Sequence, residues 1–263
     1  MNGWLPILIY HRVCDEVPAQ DPYRLCTSVA RLGRAFRYLW EHDYRVVTLD
    51  VALELMTGDR PIGRYACITF DDGYREVYTH ALRLLKRYGY PATVFVVTDY
   101  IGGTNRWDEA LGLPSVPLLS RDEILEMADH GITFGGHGAT HRRLTGLSLQ
   151  EREQEILGSR EALEALLGRE VRFFAYPHID QDPEIRQEVA KAGYRGACGG
   201  EQVTHEPYLL HRVDLSRSEG LAFLFRLHGW RHRLQSNRAL RALKAAAPSP
   251  AGKSLVQRVR YSA

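Results

Sequence analysis

Two adjacent carboxylates, Asp71 and Asp72, end the apolar run Ala66-Cys67-Ile68-Thr69-Phe70 and are followed at once by Gly73. Neighbouring side chains on a strand point to opposite faces, but at a strand end that turns on a glycine both carboxylates can converge on one pocket. As free anions side by side they would repel, so a cation between or beside them is the natural way to keep both ionised. Further along, His137-Gly138-Ala139-Thr140-His141 sets two imidazoles four residues apart behind Gly135-Gly136, able to meet one ion from a helical turn or a tight loop. Together with Asp72 they form a three-ligand set with open positions for water, as a catalytic rather than a structural zinc site requires. Asp71 would then stand beside the metal and take a proton from its water, or else serve as a capping or salt-bridged residue. His11, at another strand end, offers the complementary acid or a satisfied structural histidine.

The elements that must position these groups alternate along the chain. Leu5–Tyr10, Tyr44–Val47, Ala66–Phe70, Ala92–Val97, Ile132–Gly135, Val171–Tyr176, Tyr194–Cys198 and Leu209–Val213 read as strands. Thr27–His42, Tyr74–Tyr88, Arg121–His130, Ser148–Leu167 and Pro183–Ala192 carry apolar residues at helical spacing, with caps at Ser120 and Ser148. This order is the signature of a parallel α/β sheet or barrel, whose functional groups gather at the carboxyl ends of the strands. His11, Asp71 with Asp72, His137 with His141, and the Tyr176-Pro177-His178 segment all stand at such ends. The long Gly- and Pro-containing connection Ile101–Leu119, which carries Trp107 and Asp108, could wall a substrate cleft.

At 263 residues with 44% hydrophobic content, the chain can bury a sizeable core. The segment after Glu219 holds nine Lys and Arg and no acidic residue, so an acidic body precedes a basic tail. Residues 1–230 form the expected catalytic domain and 231–263 a basic helix and tail. That tail reads either as a solvated helix face or as a surface for anionic lipid or a phosphorylated carrier, giving a peripheral membrane or lipid-linked glycan contact. No motif or aromatic interleaving supports nucleic acid as a partner. Cys14, Cys26, Cys67 and Cys198 lie far apart without a CxxC pair, which makes a reducing, cytoplasmic setting the simpler expectation. The first ten residues read as a strand rather than a signal peptide, and no apolar run reaches the roughly 20 residues of a membrane span.

Thr69-Phe70-Asp71-Asp72-Gly73-Tyr74, His137-Gly138-Ala139-Thr140-His141 and Phe174-Ala175-Tyr176-Pro177 resemble, in order and separation, three motifs of the polysaccharide deacetylase family, the NodB-homology or carbohydrate esterase family 4 enzymes. Pro6-Ile7-Leu8-Ile9-Tyr10-His11-Arg12 is similar to the start of the exopolysaccharide-modifying branch. The resemblance implies a distorted (β/α) barrel of about seven strands and hydrolysis of the N-acetyl group of an amino sugar in a glycan, a lipid-linked sugar or a glycoconjugate. Carried over by position, it implies a divalent metal, zinc before other transition metals, on Asp72, His137 and His141. It implies Asp71 as base, His11 as acid, and a backbone N–H at His178, after Tyr176-Pro177, facing the oxyanion.

Three positions depart from the pattern. Gly138 replaces the usual Ser or Thr, removing a hydroxyl that would brace the metal loop. His178-Ile179-Asp180 replaces an aromatic residue and a glycine, leaving His178 either to contact substrate or to serve structurally. Ala175 stands where many members carry an arginine that pairs with the catalytic Asp, and Arg172 or Arg212 could substitute. Trp107 reads equally as groove lining or lid packing. The altered wall keeps open a related hydrolase of another amide or a cyclic ureide, and Gly138 with Ala175 a non-catalytic carbohydrate-binding relative.

Overall fold

Strands such as Thr93–Val96, Phe173–Ala175 and Gly196–Gly200 are buried along their whole length, as a parallel sheet covered on both faces requires. The computed structural model describes residues 4–229 other than 20, 59–62, 201–205, 217 and 219, and the basic tail expected from 231 onward lies outside them. Its strands are β1 (Ile7–Tyr10), β2 (Arg12–Cys14), β3 (Cys26–Ser28), β4 (Arg45–Val46), β5 (Tyr65–Phe70), β6 (Thr93–Val96), β7 (Thr133–Gly136), β8 (Phe173–Ala175), β9 (Gly196–Gly200) and β10 (Leu210–Asp214). In the order β1, β5, β6, β7, β8, β9, β10 and back to β1, every pairing is parallel, so seven strands close a barrel. The expected barrel is therefore the observed one. Strand β4 extends only the beginning of β5, where Arg45 and Val46 face Tyr65 and Ala66.

Strand β5 shows how the two faces are divided. Ala66, Ile68 and Phe70 join the outer core beneath the helices, whereas Cys67 joins Ile7, Phe95, Phe173 and Cys198 inside the barrel. By the same period of two, Thr69 and then Asp71 face inward. The helices are α1 (Val29–Glu41), α2 (Leu49–Thr57), α3 (Leu82–Tyr88), α4 (Arg121–Asp129), α5 (Leu149–Glu153), α6 (Ser159–Leu167), α7 (Pro183–Lys191) and α8 (Gly220–Leu227). Ser28, Thr48, Ser120, Ser148 and Asp182 cap five of them with side-chain acceptors, and Ser120 and Ser148 complete capping boxes with Glu123 and Glu151. Helix α2 closes the amino-terminal end of the barrel by adding Leu49, Ala52, Leu53 and Met56 to the inner cluster.

Two expected helices contain a wider turn. A π-helical turn at Val77–Ala81 precedes α3, and another at Gln154–Gly158 separates α5 from α6. The expected helix start at Thr27 gives way to β3, which pairs with β2. Cys14 and Cys26 are joined there as a disulfide, against the reduced state expected from their wide spacing, because the β2–β3 pairing brings their backbones together. Cys67 and Cys198 are buried free thiols. None of the helices formed by the described residues is long and apolar enough to cross a membrane.

Gly135 makes the inner packing possible. A Cβ there would stand 2.6 Å from the Phe173 carbonyl oxygen and 2.6 Å from the Phe95 ring. Gly135→Ala is expected to cost about 1–3 kcal/mol through overpacking, lowering the thermal midpoint by about 2–4 °C per kcal/mol in a chain of this size. An unchanged midpoint in a melting experiment would contradict this account of the barrel interior.

Candidate metal centre and active site

Strand β5 delivers the two carboxylates, and the backbone separates them. Asp71 continues the inward alternation, whereas Asp72 adopts a left-handed φ of 70° and Gly73 repeats it, so the chain turns sharply out of the strand. A Cβ on Gly73 would lie 2.8 Å from Val96 Cγ1, which leaves room for glycine alone. Both aspartates are buried.

Asp72 meets the two predicted histidines. Its Oδ1 lies 3.2 Å from His137 Nε2 and 3.3 Å from His141 Nε2. Ligand atoms of all three residues fall within 4.8 Å of one another. His137 Nδ1 donates to the Ala175 carbonyl at 2.7 Å. Because that oxygen can only accept, a proton sits on Nδ1, so Nε2 faces Asp72: it donates to the carboxylate when the ring is protonated and presents its lone pair to an ion when the ring is neutral. A buried carboxylate and two imidazoles with convergent lone pairs fit a divalent transition ion. Burial acts to raise the Asp72 pKa, but bonds from His137 and His141 outweigh it and hold the carboxyl well below the usual carboxylate range.

Asp71 has a different partner. Arg212, from β10, grips it with two parallel bonds: Nη1 to Oδ1 at 2.6 Å and Nη2 to Oδ2 at 2.6 Å. The pair is almost fully buried, with Arg212 stacked over the Phe95 ring and touching Thr69 Oγ1. Burial favours the neutral acid, but the Arg212 and His137 charges prevail and lower the Asp71 pKa. The arginine absent at Ala175 is thus supplied from across the barrel. Arg172, the other candidate, is directed instead to Asp50 and Glu170 near the strand starts and is substantially exposed.

The remaining predicted residues divide. His11 follows β1 and its charge helps to lower both aspartate pKa values. Trp107 packs its ring with Tyr100, just before the connection, and sits 4.7 Å from the His141 ring. His178 reaches the site, its ring 4.5 Å from that of His141 and its Nε2 donating to the His141 carbonyl at 3.2 Å. Its residue is exposed at the rim, yet the ring is tucked inward, and this loss of water, followed by the His141 and Arg143 charges, lowers its pKa to about 4. It is therefore neutral near pH 7. Pro177 is buried beside the metal loop, close to Gly138. Tyr176 does not bring its side chain to the site; it is buried in the outer core with its hydroxyl donating to the Tyr208 carbonyl at 3.0 Å. Its contribution is to the backbone that leads into His178.

Sequence reasoning missed Glu155. This buried carboxylate, in the π-helical turn, accepts the Thr140 backbone N–H at 2.9 Å and also the Thr140 hydroxyl. A Cβ on Gly138, whose φ is 77°, would lie 2.7 Å from Glu155 Oε2, so the carboxylate occupies the space that the missing side chain leaves. The acidic residue lay in an amphipathic helical pattern, and only the extra residue of the wide turn rotates it inward. Four of the six non-glycine residues with positive φ among the described residues, Asp72, His141, His178 and Ile179, stand at this barrel mouth.

With this geometry in place, the comparisons are consistent. The polysaccharide deacetylase family profile matches residues 58–197, just over half of the chain. A Bacillus subtilis protein named "Putative polysaccharide deacetylase YxkH" is 28% identical over 220 residues, covering 81% of this chain and 71% of its own length. Poly-beta-1,6-N-acetyl-D-glucosamine N-deacetylase of Staphylococcus epidermidis is 28% identical over 135 residues, 48% of this chain, and the match spans only 44% of that protein. The solved structure of IcaB from Ammonifex degensii superposes with a TM-score of 0.70 at 22% identity, covering 88% of this chain and 97% of that one, a likeness of fold. His11 and Arg212 both fall outside the matched segment, so their places are read from geometry.

Arg212→Met leaves Asp71 buried without its cation, an expected loss of about 3–5 kcal/mol near pH 7. In the native chain, a lowered Asp71 pKa contributes stability above the unfolded value near 3.9, and this is lost as pH falls through the folded value. In the variant, burial raises the pKa instead, so its penalty is relieved by protonation. The stability difference should therefore narrow between pH 7 and about pH 4 in denaturant titrations. A difference independent of pH would contradict the pairing.

Proposed function

The chain belongs to the polysaccharide deacetylase family, and from this premise we propose that it is a metal-dependent hydrolase that removes the N-acetyl group from an N-acetylhexosamine unit of a glycan or glycoconjugate. The observation that carries the reading is the convergence of Asp72, His137 and His141 beside a second carboxylate, Asp71, that has its own arginine. Asp72, His137 and His141 would hold the ion, with zinc the first expected. When bound, a divalent ion supplies Lewis acidity that polarises the acetamide carbonyl and acidifies water.

The protein's own groups perform the remaining steps. Asp71, kept ionised and oriented by Arg212, accepts the proton of the attacking water. As the carbonyl becomes tetrahedral, the His178 backbone N–H, held just after Pro177, donates to the developing oxyanion. His11 protonates the departing amine, so the C–N bond breaks to give acetate and the free amino sugar. Trp107 and the neutral His178 ring wall the acetyl-binding end and restrict its water. The polymer named for the staphylococcal relative, poly-β-1,6-N-acetylglucosamine, is the first substrate to assay. Contact of the basic tail with anionic lipid is proposed on charge alone. The Cys14–Cys26 disulfide sets an oxidising compartment against the expected cytoplasmic one, and a thiol count on native protein decides: two free thiols for the former, four for the latter.

Acetate release from N-acetylglucosamine oligomers should disappear on chelation, return with zinc, and fall about 10²–10⁴-fold in Asp71→Asn. Full turnover by that variant would remove Asp71 as the base. Because the base acts ionised, any residual activity of Arg212→Met should show an acid limb of kcat/KM moved to higher pH, the direction set by removing the group that lowers the Asp71 pKa. An unmoved limb would separate Arg212 from base activation.

A further inference from the structure

The two imidazoles of the candidate metal set are not held alike. His137 is fixed by its Nδ1 bond to Ala175, whereas His141 Nδ1 is buried with no hydrogen-bond partner among the described residues. Apart from Asp72 at the ligand nitrogen, no hydrogen bond from the described residues to the His141 ring sets its orientation as Ala175 does for His137. The residue also carries a left-handed φ of 64°, a conformation that a non-glycine side chain keeps only when its surroundings enforce it. Enforcement must come through the loop that ends on it.

That loop is clamped from two sides. On one, the Thr98 N–H donates to the Gly138 carbonyl at 3.3 Å and the Asp99 N–H to the Ala139 carbonyl at 3.0 Å, tying the loop to the end of β6. On the other, both Glu155 oxygens engage Thr140, the residue immediately before His141. A charge-accepting bond to a buried backbone N–H is among the stronger links available to a loop. Gly138 is a condition of this link, since any Cβ there would press on Glu155 Oε2. Glu155 itself lies buried in a helical turn of five residues, Gln154–Gly158, whose Ile156 carbonyl also accepts from the Ser159 and Tyr194 hydroxyls.

We propose that Glu155 is a positioning residue for the metal centre: through Thr140 it fixes the backbone that aims His141 Nε2 at the ion, replacing the hydroxyl that Gly138 lacks. The inference rests on the metal-dependent reading above and concerns only how the third ligand is held. Its carboxylate does not touch the ion or the substrate. It makes one acidic side chain on a helix, outside all of the motifs, a determinant of metal affinity.

The test is zinc affinity of the purified, metal-stripped full chain, measured by competition with a chromophoric chelator, beside the thermal midpoint of the metal-free protein. If the native chain binds no zinc, the metal reading itself fails, an outcome distinct from those that follow. With native binding established, Glu155→Ala is expected to weaken zinc affinity about 10–100-fold. Glu155→Gln, which still presents an acceptor to the Thr140 N–H, should recover most of the loss. Thr140→Val keeps Glu155 and its backbone bond while deleting the hydroxyl contact, and should lie between. Native affinity in a folded Glu155→Ala protein overturns the proposal. If that variant does not fold, native affinity in Thr140→Val overturns it instead.

Discussion

The buried pairing of Asp71 with Arg212 is what allows two consecutive carboxylates to share one barrel mouth. Without a cation of its own, Asp71 would either take up a proton or compete with Asp72 for the metal. The guanidinium satisfies both Asp71 oxygens in a fork and keeps them on the inner wall, leaving Asp72 to face the histidines. Arg212 can do this only because β10 closes the barrel against β1, which in turn pairs with β5. Closure of the sheet and separation of the two acids are thus one structural requirement.

Backbone geometry completes that separation. Asp71 follows the period of the strand, and Asp72 breaks it in a left-handed turn that Gly73 continues beneath Val96. Similar strained positions hold His141 and His178, so the chemistry stands on loops whose shape is enforced by their supports. The supports are of three kinds: the Ala175 carbonyl on His137, the backbone of Thr98 and Asp99 after β6 on the loop, and Glu155 on Thr140. A site built this way has its ligands oriented before any ion arrives, which lowers the cost of organising them.

Much of this was legible in the chain, and the limits have physical causes. The strands were found within a few residues because inward and outward apolar positions alternate, and the ligand trio because Asp72 and the two histidines end strands. Helix α2, by contrast, was absent from the expected elements, and β2 with β3 were missed because each is only three residues long. Arg212 and Arg172 were equivalent in sequence, since which of two strand-borne arginines reaches Asp71 depends on height along the barrel. Glu155 was hidden by a π-helical turn, which leaves helical spacing intact while changing the face presented. Tyr176 was drawn to the site by its neighbours in the motif, yet alternation turns its ring to the outer core.

The central claim is that Asp72 binds the metal while Asp71, held by Arg212, does not. Crystals grown with zinc and measured by anomalous diffraction at the zinc edge test it most directly. The account predicts one ion on Asp72, His137 and His141, with the Asp71–Arg212 fork intact beside it. An ion bridging both carboxylates, with Arg212 displaced, would contradict it.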